Sequence, residues 1–284
     1  MLKDLEKDRI VVDRTFYGSC MALLAGASLH GKANGKDAKE LIDHERQAGI
    51  APSSETYRLW IKVLANCALV GESSATQGLG ALKYMKSVGT QVTPSIYATL
   101  MEHVSRAALF GKGSVLDADK ILEEMRDNEV PLTETILCCY LQVAKGDGKR
   151  SSAIKAFNTF ASTPTSIRSQ RAYTLLIACL SRAGQRKTAF ALIDVLRATG
   201  AKPNMYVYNA ALQAAPDAAS LLALHAKMEE EGVAGDKVTR KLVNGAKRGR
   251  VWVPKKLPPE TAQRLAVERA TKGKGGRGMI QKEG

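Results

Sequence analysis

Four histidines (His30, His44, His103, His225) and five cysteines (Cys20, Cys67, Cys138, Cys139, Cys179) carry most of the reactive chemistry in this 284-residue chain. Their spacing gives them nothing to do together. No CxxC pair and no zinc-ligand spacing forms, and an odd, scattered set of thiols reads as small buried hydrophobes in a reducing compartment. Neither HExxH nor GxSxG occurs, and no carboxylates pair in a catalytic spacing. The stretch "GDGKRSS" (146–152) has some of the composition of a phosphate loop. It lacks the leading glycine and the Ser/Thr directly after Lys149, and it falls where two helices need a turn. The expectation is a protein that is not an enzyme, with no metal, no cofactor and no small-molecule substrate.

What remains is hydrogen bonding and charge. Thr174, Asn204, Asn209 and Asp236 are short polar side chains able to bond the edge of a base; the same types also cap helices and form turns. Lys247, Arg248, Arg250, Lys255, Lys256, Lys272, Lys274 and Arg277 are candidate phosphate contacts. The chain carries a net charge of +14, unevenly: residues 237–284 hold 14 Lys/Arg against 3 Asp/Glu, a net +11, leaving +3 for residues 1–236. A near-neutral body with a basic end points to a polyanion partner. Trp252, within that end, either stacks on a base or docks the tail. No apolar run approaches the roughly 18 residues of a membrane helix. The opening "MLKDLEKDRIVVD" has neither the apolar core of a signal peptide nor the scarcity of acids of a transit peptide.

The elements that must hold these residues are helices. Tyr173, Leu176, Ile177 and Leu180 make one apolar stripe; Ala189, Leu192, Ile193 and Leu196 make another. Gly184 separates the two, and Gly200 and Pro203 end the second. One such hairpin cannot bury both stripes, so neighbours are required. They are present. Tyr17, Tyr57 and Tyr97 lie 40 residues apart, and so do Gly31, Gly71 and Gly111, then Ala38, Gly78 and Ala118, then Ile42, Leu82 and Leu122. The series defines repeats 14–53, 54–93, 94–133, 134–169, 170–204 and 205–236. The expected fold is all-α: a helix-turn-helix repeat solenoid of about six repeats over 14–236, with residues 237–284 as a closing helix and basic RNA-binding tail. "DLEKDRIVVD" reads as the end of a preceding repeat or an N-terminal helix (1–13), so the native protein is expected to extend further N-terminally. A short helix is expected at about 260–271, after Pro258 and Pro259.

With these residues in view, the chain resembles the pentatricopeptide repeat family. Residues 170–204 match at Tyr173, Thr174, Gly184, Ala189, Gly200, Pro203 and Asn204, and residues 205–236 at Tyr208, Asn209, Met228, Gly232 and Asp236. The tetratricopeptide signature is missing. The resemblance implies an organellar RNA-binding protein that reads one base per repeat through a residue early in the first helix and one at the repeat's end. The pairs would be Gly18 with Ser53, Arg58 with Thr93, Ala98 with Thr133, Cys138 with Ser169, Thr174 with Asn204, and Asn209 with Asp236. The last two are combinations the family uses, for adenine and uracil. The other four are poor readers. Two readable bases cannot select one transcript, so the expected function is a structural component of an organellar ribosome, mitochondrial or alternatively plastid, with rRNA and neighbouring ribosomal proteins as partners. The alternatives are a factor for organellar transcript processing or stability, and a protein-binding scaffold.

Overall fold

Each repeat opens on the same local chemistry. Asp13, Ser53, Thr133, Ser169, Asn204 and Asp236 stand in extended backbone and accept, on a side-chain oxygen, from backbone N–H groups two or three residues on. This meets donors that the first turn of a helix cannot satisfy. Thr93 occupies the same place and is followed by Pro94 at the first helical position. The first helices that result are α1 (Arg14–Ser28), α3 (Ser54–Ala68), α5 (Pro94–Ala108), α7 (Glu134–Asp147), α9 (Gln170–Arg182), α11 (Met205–Ala214) and α13 (Lys237–Ala246). Between them run the second helices: α2 (Gly35–Gln47), α4 (Ala75–Ser87), α6 (Val115–Asp127), α8 (Arg150–Ser162), α10 (Arg186–Ala198) and α12 (Ala218–Glu230). A computed structural model describes residues 12–251, and 13 α-helices and no strand occur among them. The helix expected at about 260–271, Trp252, Lys255, Lys256, Lys272, Lys274, Arg277 and nearly all of the opening segment lie outside the described residues.

The chain divides into two units at Val130 and Pro131. In the first, α3 lies between α1 and α5; in the second, α9 lies between α7 and α11. The second helices bridge these rows. α2, α4, α8, α10 and α12 each pack on the first helix of their own repeat and on the next one. This is the pattern of an all-α helical repeat solenoid, and its core follows the repeat. Tyr17, Tyr57, Tyr97, Leu137, Tyr173 and Tyr208 are all buried, as are Met85, Met125, Phe160, Leu196 and Met228 late in the second helices. The two series meet: the Phe160 ring lies edge-on to Tyr173 at 4.9 Å between centroids. Each such side chain contributes about 1.5–3 kcal/mol of apolar burial.

The turns depend on backbone that only glycine adopts without strain. Gly71, between α3 and α4, has φ +78 and leaves no room for a Cβ, which would come within 2.7 Å of the Phe110 ring. Glu129 is the exception. It sits where Gly49 and Gly89 end the preceding repeats, yet takes φ 55, a left-handed conformation that strains a residue with a Cβ. "GDGKRSS" forms the turn between α7 and α8, with Gly148 left-handed at φ 65 and Lys149 opening α8. Cys67, Cys138 and Cys179 are buried, and burial pushes the Cys179 thiol up to about 12. Cys20 and Cys139 are only half-buried.

Candidate nucleic-acid interface

The six expected base-reading pairs have one architecture. The residue at the end of each repeat is the N-cap of the next first helix, and its partner lies five residues inside the preceding one. The first four pairs offer little. Gly18 and Ala98 carry no polar side chain. Cys138 is buried, and burial raises its thiol. Arg58, expected to favour phosphate, is instead clasped by Glu55, with Nε and Nη2 at 2.6 and 2.5 Å from the two carboxylate oxygens. Further along the same helices, Lys62 pairs with Glu102 at 2.7 Å, and Glu102 also takes Arg106. Arg106 in turn donates to Asn66 Oδ1 at 2.9 Å. Arg58, Lys62 and Arg106 are thus each tied to a carboxylate of the first unit itself, the last two sharing Glu102.

The last two pairs differ. Thr174 Oγ1 spends its hydrogen on the carbonyl of Gln170, at 2.8 Å, and keeps free lone pairs. Asn204 Oδ1 caps α11, accepting from Tyr206 and Val207 at 3.0 and 3.1 Å. Its amide Nδ2 has no partner among the described residues, and the residue is exposed. Gln170 ties the pair together: its Oε1 accepts from Asn204 N at 2.7 Å, and its Nε2 donates to the Lys202 carbonyl at 3.1 Å. This pair therefore presents an acceptor on the first helix and a donor on the cap.

Asn209 and Asp236 are in direct contact. Asn209 Nδ2 donates to Asp236 Oδ1 at 3.2 Å, and Asn209 Oδ1 accepts from Thr239 Oγ1 at 2.7 Å. Asp236 Oδ1 also caps α13 through Val238 and Thr239 N–H at 2.8 and 2.9 Å. The N–H of Thr239 foremost, then the Asn209 amide and the Thr239 hydroxyl, hold the carboxyl below its ordinary range, so it is ionised. Its Oδ2 and the second Asn209 amide hydrogen have no partner among the described residues. The polarity is the reverse of the neighbouring pair: donor on the first helix, acceptor on the cap. Both caps do the structural work that their residue types allow, and both keep one group to spare. Sequence reasoning missed Tyr206, 66% exposed, and Val238, 42% exposed. Each lies two residues after a cap, and they flank the Asn209–Asp236 pair along the chain.

Charge gathers at the same end. α13 buries Thr239, Leu242, Val243 and Ala246 and exposes Lys237, Arg240 and Lys241. Lys247, Arg248 and Arg250 follow, all exposed. In the preceding repeat, Arg171 and Lys202, close in sequence to Thr174 and Asn204, and Arg182, at the far end of α9, are exposed. None of these nine cations has an ion pair among the described residues. No described helix is long and apolar enough to cross a membrane, and no described group of three His, Cys, Asp or Glu side chains is placed to hold a metal ion.

The family model for the pentatricopeptide repeat domain matches residues 170–218, which span both readable first-helix positions and Asn204. No curated protein matches the sequence. Among solved structures, the chain is similar to the pentatricopeptide repeat protein PPR10 from maize, with a TM-score of 0.59 and 19% identity over 96% of this chain and 36% of that one. It is also similar to PPR10 in complex with an 18-nt psaJ RNA element, with a TM-score of 0.45 and 18% identity over 99% and 36%. The chain thus spans about a third of the length of the proteins it resembles in fold. The family signature thus lies in residues 170–218, across the fifth repeat and the start of the sixth, and the likeness to PPR10 shows a helical-repeat fold for the chain.

Proposed function

We propose that the chain is a non-catalytic RNA-binding protein that grips RNA at the C-terminal end of its second unit. The observation that carries this is the coincidence, over repeats 170–204 and 205–236, of two adjacent polar pairs with unspent donors and acceptors and a set of exposed cations without acidic partners. Phosphates would be held by Lys247, Arg248 and Arg250 and by their neighbours on α13. Lys255, Lys256, Lys272, Lys274 and Arg277 extend the charge in sequence. Tyr206 and Val238 supply apolar surface against which a base can stack.

The finer reading is a structural component of an organellar ribosome, mitochondrial or alternatively plastid, bound to rRNA and to neighbouring proteins. Four of six pairs are mute, and two read positions cannot pick one transcript from many, so binding depends mainly on backbone charge and on the place the protein occupies. One observation favours a second reading, a transcript factor. The two competent pairs are adjacent and opposite in polarity, which is what reading two different consecutive bases requires.

Ultraviolet crosslinking in the native source, with sequencing of the attached RNA and mapping of the joined peptides, separates the readings. Crosslinks at one or two rRNA sites, mainly through peptides after residue 236, are expected. Crosslinks spread over a few messenger transcripts, through peptides holding Thr174 or Asn209, would support the second reading. Absence of RNA crosslinks would overturn both.

A further inference from the structure

The Asn209–Asp236 pair is governed by a third residue that belongs to neither reading position. Thr239 is fully buried, in the first turn of α13. Its hydroxyl accepts from the N–H of Asp236 at 3.1 Å, which leaves its single hydrogen to find an acceptor. Asn209 Oδ1 lies 2.7 Å away and is the nearer of two, the other being Asp236 Oδ1 at 3.1 Å. An amide can be turned end for end, and here both ends are decided. In the reversed orientation, Oδ1 would face the ionised Asp236 carboxylate, acceptor against acceptor, and Nδ2 would drive the Thr239 hydrogen off its 2.7 Å contact onto the longer one with Asp236 Oδ1. Thr239 and Asp236 together leave Asn209 one arrangement, with Nδ2 on the side of the cap carboxylate.

We infer that Thr239 is a positioning residue for base discrimination at the Asn209–Asp236 position, acting on the amide rather than on RNA. This rests on the reading of that pair as a base-contacting site. A base edge that meets the pair must offer an acceptor to Nδ2 and a donor to Asp236 Oδ2. Without the Thr239 hydroxyl only the carboxylate contact restrains the amide, so the side chain can swing and present either end. Thr174 has no such governor. Its hydroxyl is fixed by its own helix, at the Gln170 carbonyl, so the neighbouring position serves as an internal control.

The test compares Thr239→Ser with Thr239→Ala in the full chain. Both lose the same methyl group, and only the hydroxyl separates them. Each protein is equilibrated with a pool of short single-stranded RNAs randomised in sequence, at a temperature where both variants keep wild-type helicity, and the bound fraction is sequenced. Wild type and Thr239→Ser are expected to enrich a preferred base at two consecutive positions. Thr239→Ala is expected to lose about tenfold of the preference at one of the two and to keep the other. Equal preference at both positions in Thr239→Ala and Thr239→Ser would overturn the role of Thr239. A wild-type protein that enriches no base at either position would instead overturn the base-contact reading on which it rests.

Discussion

Glu45 shows how a single residue can break the repeat. It lies 40 residues before Met85 and 80 before Met125, in the same late turn of a second helix, and it is as buried as they are. Both carboxylate oxygens are without a hydrogen-bond partner among the described residues. Burial pushes the carboxyl above its ordinary value, and the charge of Arg14 pulls it only part of the way back. A carboxyl raised in the folded state favours folding below its unfolded value, near 4.5, and that advantage is lost as pH rises through the folded value. At neutral pH the residue is therefore a cost to the first unit. Replacing it with the repeat's own residue, Glu45→Met, is expected to raise stability at pH 7 by about 1–3 kcal/mol, the usual penalty for an unpaired buried polar group. The gain should shrink towards pH 4.5. Urea unfolding of both proteins at the two values measures it, and equal midpoints at pH 7 would show that the carboxylate costs nothing where it sits.

At the scale of the element, the contact between α4 and α5 departs from the repeat in two places that compensate. Ala38, Ala118, Ala153 and Ala189 share one position on the second helices, and Gly78 replaces alanine there in the second repeat. Val63 and Val143 lie 40 residues either side of His103. A Cβ on Gly78 would stand 2.2 Å from His103 Nδ1 and 2.9 Å from Leu100 Cδ1. Glycine is there because the imidazole fills the space of the missing methyl. His103 is fully buried, bonded through Nε2 to Ser73 Oγ at 2.9 Å, and burial lowers its pKa to about 4. Gly78→Ala alone is expected to cost about 1–3 kcal/mol by overpacking, more than the helix preference for alanine returns. His103→Val alone leaves a gap, while the double variant should recover most of the wild-type midpoint in a thermal melt. Additive losses would mean that the two sites do not touch. A histidine with a depressed folded pKa stabilises above 6.5 and loses that contribution as pH falls towards 4, so the double variant should also be the less acid-sensitive protein. The 40-residue series makes Gly78 legible as an alanine position, because every repeat must bury the same stripe. Nothing along the chain announces that a histidine 25 residues later takes the vacated space. The site divides in the same way. The caps and the positions of the six expected pairs were readable because residue type and spacing suffice for them, whereas Glu55 capturing Arg58 and Thr239 bonding Asn209 are choices among partners that only the folded geometry makes.

For the whole molecule, the proposed RNA binding turns on the distribution of charge. Residues 237–284 carry a net +11 against +3 for the rest, but the boundary between body and tail does not fall at 236. α13 packs on α11 and α12 and buries Thr239, Leu242, Val243 and Ala246, so the first cations of the basic end are fixed to the second unit. Lys247, Arg248 and Arg250 follow directly, and they can meet phosphates without the entropy loss that a fully flexible segment would suffer on binding. About six phosphate contacts in all predict a log–log dependence of affinity on salt with a slope of roughly −4 for single strands. Changing Lys247, Arg248 and Arg250 together to glutamine removes three of them without touching the core. The slope should become shallower by about 2, and base preference at the Asn209–Asp236 position should stay as it was, since phosphate contacts fix register and carry no sequence information. Titrations of one RNA across a salt series measure the slope for both proteins. An unchanged slope would move the phosphate grip off these three residues, and the same substitution series applied to Lys237, Arg240 and Lys241 on α13 and to Arg171 and Lys202 in the fifth repeat would then show the fall in slope instead.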